Sequence, residues 1–153
     1  MTDEEIIAEV NSYPANRIIL TGGEPALWID HNFIAKLKKE TDKLIAIETN
    51  GSLPVPDNID WITISPKCGM EGAGDYEILI EKSDEMKVVD IGQDLEPYFS
   101  YPCVVPTTVM LLQPCFVDDP KQFSSNVSST IGRVLSDPRW RLSMQIHRFL
   151  GIR

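Results

Sequence analysis

Arg17-Ile18-Ile19-Leu20 is a short apolar-rich run, and the chain leaves it through Thr21-Gly22-Gly23-Glu24-Pro25. No other stretch constrains the fold as much. The run reads as a buried strand, 17–21. Two glycines at its C-terminal end let the backbone approach a ligand closely. Glu24, just past the strand tip, can accept hydrogen bonds from an ammonium group, and Pro25 fixes the exit geometry.

The rest of the chain supplies partners for such a strand. Thr2-Asp3-Glu4-Glu5 has capping-box spacing, with Ile6, Ile7 and Val10 following at helical intervals, so a helix is expected over 3–12. A second helix is expected over 29–41, with Phe33, Ile34 and Leu37 on one face, and a third over 120–135. Strands are expected at 44–48, 61–65, 85–89, 109–113 and 141–147. Short helical pieces are expected at 76–81 and 94–98. Strands alternating with helices predict parallel βαβ units in a single domain spanning 1–153.

Composition excludes several classes. The chain has 153 residues, 42% apolar and 24% charged, with a net charge of −9. Excess carboxylate argues against nucleic-acid or anionic-membrane surfaces. No apolar run is long enough to span a bilayer, and the acidic N-terminus does not read as a signal peptide. Cys68, Cys103 and Cys115 are odd in number and widely spaced, which predicts free cytosolic thiols rather than disulfides or a local metal motif.

The strand ends carry the polar chemistry. They read Thr21-Gly22-Gly23-Glu24, Glu48-Thr49-Asn50-Gly51, Ser65-Pro66-Lys67 and Gln113-Pro114. In parallel α/β folds ligands bind beyond the C-terminal strand ends, so four polar tips predict one pocket. The segment 141–147 adds to this: Leu142, Met144 and Ile146 alternate with Arg141, Ser143, Gln145 and His147. A wholly polar strand face means either an exposed edge or the inner wall of a barrel, and the milder alternation in 61–65 favours the wall. The polar set should then converge with Glu48 and Gln113, while Leu142, Met144 and Ile146 pack under helices. A pocket holding Glu24 and Glu48 with Lys67, Arg141 and His147 suits a zwitterion. No phosphate-binding glycine loop is present.

Read together, several segments resemble the 7-carboxy-7-deazaguanine synthase branch of the radical S-adenosylmethionine (SAM) superfamily. They are 20–25 with its Gly-Gly-Glu-Pro motif, 47–52, 64–67, 112–114, 138–147 and the closing Gly151-Ile152-Arg153. The resemblance implies a partial (incomplete) parallel βα barrel, usually homodimeric and cytoplasmic. It implies conversion of 6-carboxy-tetrahydropterin to 7-carboxy-7-deazaguanine on the queuosine route, with SAM, a [4Fe–4S] cluster and Mg²⁺. Carried over, Gly22, Gly23 and Glu24 hold the SAM amino group, and Asn50, Ser65 and Lys67 surround its ribose and carboxylate. Glu48, Gln113 and His147 face the pterin, and Arg153 contributes its terminal carboxylate.

One departure from the family pattern is large. The family's first strand and its Cys-x-x-x-Cys-x-x-Cys cluster loop precede the helix with which this chain begins, and no such cysteine run occurs in the sequence. The expectation is a barrel missing its first strand, inactive by itself, with the outer edge of strand 17–21 covered by a partner or a rearranged segment. The alternative is a cluster-free SAM- or pterin-binding module, or a glycyl-radical-activating-enzyme-like remnant, acting through a partner subunit.

Overall fold

A computed structural model describes residues 1–67, 70, 72, 74 and 76–150, and for Phe149 the backbone only. Its centre is a six-stranded sheet of β1 (Arg17–Leu20), β2 (Leu44–Thr49), β3 (Trp61–Ile64), β4 (Glu85–Asp90), β5 (Val109–Pro114) and β6 (Trp140–Leu142). All neighbours are parallel and the strand order is the sequence order. Each crossover therefore advances one strand in the same direction, the path that curls a sheet toward a barrel. The sheet stays open, with β1 and β6 as its edges, so the fold is a partial βα barrel.

The helices form where capping and amphipathicity place them. Helix α1 (Asp3–Asn11) opens with the expected reciprocal box: the Glu5 amide donates to Thr2 Oγ1 and the Thr2 amide to Glu5 Oε2. Helix α2 (His31–Thr41) starts two residues later than the pattern suggested, because Asp30 accepts the Phe33 amide at 2.7 Å and so sets the N-cap. Helix α3 (Pro120–Ser136) is capped by Asp119, which accepts the Lys121 and Gln122 amides. Among the described residues no helix is long and apolar enough to cross a membrane.

Register sorts each strand's side chains onto two faces. One face is apolar. Ile45 packs with Ile7, Ile34 and Leu37 beneath α1 and α2. Ile64, Met86, Val88, Met110, Leu112 and Trp140 form a second cluster with Ile80 and Cys103. The opposite face carries Glu48, Thr63, Glu85, Lys87, Gln113 and Arg141, interleaved with a few apolar residues. At the β1 edge of this face the Arg17 guanidinium lies over the Trp61 ring.

Two expectations are corrected. Residues 76–80 form no helix; they run as an irregular arm, tied by the Leu79 amide to the Gly51 carbonyl and by Ile80 to the core. The sixth strand covers only Trp140–Leu142, and residues 146–150 form a short helix, α4 (Ile146–Leu150). Ser143 makes the last ladder bond, to the Leu112 carbonyl. The next position on β5 is Pro114, which has no amide to donate, so the ladder cannot continue. As a consequence Leu142 is partly exposed and Ile146 is 62% exposed, rather than packed under helices. At the other end of the sheet β1 pairs only with β2, and among the described residues no strand covers its outer edge, which leaves that edge open to a partner chain.

Candidate functional site

Parallel strands put all their C-terminal ends on one side of the sheet, and two polar clusters sit there. The first joins β1 to β2. Glu24 follows the Gly22-Gly23 turn, where Gly22 has φ +119°. Its Oε1 accepts the Thr49 hydroxyl at 2.6 Å and the Ala26 amide at 3.1 Å, and its Oε2 accepts the Asn50 amide at 2.8 Å. Three donors on a carboxylate with about four acceptor directions leave one direction, on Oε2, for a ligand. A Cβ placed on Gly22 or Gly23 would meet nothing within 4 Å, so bare backbone borders open space beside that carboxylate. The Asn50 side-chain oxygen is committed to a turn, accepting the Ser52 amide at 2.8 Å.

The second cluster lines a cavity of about 390 Å³ built from Glu48, Ser65, Lys67, Lys87 and Gln113, closed on one side by the segment Ser143 to His147. Residues on β2 and beyond β6 share this cavity, which requires the sheet to be curled. Lys87 Nζ stands 2.5 Å from Glu48 Oε1. Lys67 Nζ donates to Ser65 Oγ at 3.0 Å, and its backbone amide to the Tyr76 hydroxyl. Burial pushes the Lys67 ammonium pKa below its ordinary value and the Lys87 charge pushes it further, while Glu48 pulls the other way. Ser143 Oγ reaches Gln113 Oε1 at 3.4 Å. The cavity therefore presents two ammonium groups, one carboxylate, two amides, hydroxyls and an imidazole: donors and acceptors for a flat polar molecule bearing an anionic group.

Of the residues singled out from sequence, Glu48, Ser65, Lys67, Gln113 and His147 share the cavity. Gly22, Gly23, Glu24 and Asn50 form the neighbouring tip cluster. Arg141 does not join them; it is exposed on edge strand β6. Arg153 and Cys68 lie outside the described residues. Met144 and Ile146 line the cavity, a role opposite to the one expected. Lys87 was not singled out at all, although the alternation in Glu85-Met86-Lys87-Val88 repeats the signal read in 61–65 and places Lys87 on the polar face.

Two of the three cysteines, Cys103 and Cys115, are among the described residues, and both are free thiols. Cys103 is fully buried in the apolar core, where burial pushes its thiol pKa up, and Cys115 follows β5. Among the described residues no group of three histidines, cysteines or carboxylates is placed to hold a metal. SAM differs: the one uncommitted Glu24 direction and the open glycine backbone fit an amino-acid ammonium group.

No family model matches the chain. Curated relatives do. The chain is 45% identical over all 153 residues to 7-carboxy-7-deazaguanine synthase of Bacteroides thetaiotaomicron, covering 74% of that protein. It is 34% identical over 151 residues to the synthase of Bordetella pertussis, covering 66% of it, and 39% identical over 135 residues to that of Burkholderia multivorans, covering 59%. The chain thus spans between about three-fifths and three-quarters of the length of these relatives. The crystal structure of QueE from Escherichia coli superimposes with a TM-score of 0.72 at 28% identity, over 95% of this chain and 64% of that one. By sequence over its whole length, and by the agreement of its fold, the chain belongs to the 7-carboxy-7-deazaguanine synthase family.

Proposed function

We propose that this chain forms the SAM-binding and pterin-binding wall of a radical SAM lyase that converts 6-carboxy-tetrahydropterin to 7-carboxy-7-deazaguanine, a queuosine precursor. The observation that carries the reading is the adjacency of two differently built clusters on one end of one sheet. Glu24, held by three donors, keeps one acceptor direction and follows a glycine turn with open space around it; Glu48, Lys67 and Gln113 line a cavity large enough for a pterin.

In this reading Glu24 receives the SAM ammonium group, Lys67 its carboxylate, and Asn50 and Ser65 its ribose. Glu48 accepts from the pterin's donor edge, Gln113 holds its amide, His147 caps the ring from α4, and Arg153 adds the terminal carboxylate. SAM, with a reduced [4Fe–4S] cluster, supplies the radical chemistry, and Mg²⁺ accompanies the substrate. The chain's own part is to orient the two molecules and exclude water. The reading includes a cytoplasmic homodimer, supported by the three widely spaced cysteines and by the unpaired edge of β1.

A second reading has one specific observation in its favour. With Cys103 locked in the core, these 153 residues act as a cluster-free binding module. Calorimetry tests what both readings share. SAM and pterin-6-carboxylate should each bind, with Glu24→Gln weakening only SAM and Glu48→Gln only the pterin, by about 10- to 100-fold, the worth of one charge-assisted hydrogen bond. Absence of binding, or equal losses in both variants, overturns them.

A further inference from the structure

The ion pair in the cavity involves a charged residue to which the reading above gives no role. Lys87 Nζ meets Glu48 at Oε1, at 2.5 Å, and the Lys87 side chain is only 16% exposed. The two residues come from strands β2 and β4, with β3 between them, so this bridge spans the floor of the cavity. Glu48 is the more exposed partner, at 39%, and Oε1 is the oxygen that Lys87 occupies. Without Lys87 the Glu48 carboxylate would have a flexible stem and two equivalent oxygens. It would also have a second cation within reach, because Lys67 lines the same cavity and feels the charges of both residues.

We propose that Lys87 is a positioning residue for Glu48: it takes Oε1, presents Oε2 to the donor edge of a planar heterocycle, and leaves Lys67 unpaired for the anionic group of a ligand. The proposal deepens the assignment of this cavity to a pterin carboxylate and rests on it for the ligand's identity. Three consequences follow from the geometry. A carboxylate fixed at one oxygen loses less freedom when it binds, so more of the interaction appears as affinity. With Lys87 committed to Glu48, the remaining cation, Lys67, gives the cavity a surplus positive charge in a chain of net charge −9. Neutral pterins lacking a carboxylate therefore lose the Lys67 contact but keep the Glu48 one.

The test is a double-mutant cycle on the full chain, with pterin-6-carboxylate and pterin as probes. Lys87→Met should weaken pterin-6-carboxylate about tenfold, and Lys87→Arg should recover most of the loss. In a Glu48→Gln background Lys87→Met should change little, because its effect passes through Glu48. Equal losses from Lys87→Met in both backgrounds, or no recovery by Lys87→Arg, overturn the proposal. A readout without ligand separates it from the identity of the substrate. The Glu48 side-chain carbon resonances should report one rotamer in the parent chain and averaging in Lys87→Met. If the parent binds neither probe, the pterin assignment falls, and the positioning role stands or falls on those resonances. Should Lys87→Met fail to fold, Lys87→Gln takes its place in both arms.

Discussion

Glu24 Oε2 accepts the Asn50 amide at 2.8 Å, which makes a residue expected to hold a ligand also the tie between the tips of β1 and β2. The buried Thr49 hydroxyl depends on the same carboxylate. Glu24→Ala should therefore destabilise the fold by about 1–3 kcal/mol, the cost of leaving buried donors unpaired. Glu24→Gln keeps one carbonyl acceptor and should cost less. Urea unfolding of both variants checks the order; an unchanged midpoint for Glu24→Ala would show that the tie contributes nothing.

The glycines divide in a way that separates folding from binding. Gly51 has φ +84°, and an added Cβ would sit 3.0 Å from Ile78 Cδ1 and 3.1 Å from Ile64 Cγ2. Gly51→Ala should cost about 2 kcal/mol, combining left-handed strain with crowding. Gly23 lacks a positive φ, and its Cβ would meet nothing. Gly23→Ala should leave the unfolding midpoint where it is while weakening SAM roughly tenfold, since a methyl group would enter the space claimed for the ligand. Loss of stability in Gly23→Ala, or SAM binding that ignores it, would contradict the assignment.

Lys67 gives a pH dependence with a definite sign. Burial, and then the Lys87 charge, lower its pKa from the ordinary 10.5. Between the lowered folded value and 10.5 the unfolded chain binds more protons, so this group's contribution to stability rises with pH across that window. Below the window the folded protein carries the full cost of a charged, partly buried Lys67. Lys67→Met should consequently melt higher than the parent at pH 7, with the difference shrinking toward pH 10. A variant that melts lower at pH 7, or an advantage that grows with pH, would reverse the argument.

Much of this architecture is written in local patterns. The capping box at Thr2 and Glu5, the apolar runs of β1, β2 and β5, and the polar strand tips are all short-range signals, and each marks an element that forms. Residues 141–147 show where such signals fail. Alternation of polar and apolar side chains gives the period of a strand but does not say whether a neighbouring strand offers hydrogen bonds. Pro114 ends the partner, and the same residues become a turn and a helix. Ser143, Gln145 and His147 still reach the cavity, through a different geometry, while Arg141 does not. For Lys87 the alternation marks the polar face, but its partner is not legible. Lys87 lies within a strand rather than at its tip, and the register aligns Glu48 with Thr63 and Glu85, so only the side-chain geometry shows that Lys87 reaches across to Glu48.

Helix α4 is five residues long, too short to hold itself together in water, yet it carries His147 to the cavity. Among its described side chains Arg148 anchors it, with the guanidinium 3.8 Å from the Phe116 ring centroid, and Phe116 in turn packs against Phe123 of α3 at 5.2 Å. A cation–π contact at an exposed site contributes only about 0.5–1 kcal/mol. Its loss should therefore be nearly invisible to global unfolding while freeing the last helix. Arg148→Ala is the direct test, because it removes the guanidinium and leaves the Phe116–Phe123 packing in place. The expected result is an unfolding midpoint close to the parent's and faster amide exchange over 146–150. Pterin-6-carboxylate should weaken severalfold, with SAM binding at the β1 and β2 tips unchanged. Equal weakening of both ligands would mean that Arg148 supports the whole strand end. No weakening of either would mean that α4, with His147, stands beside the cavity without contributing to it.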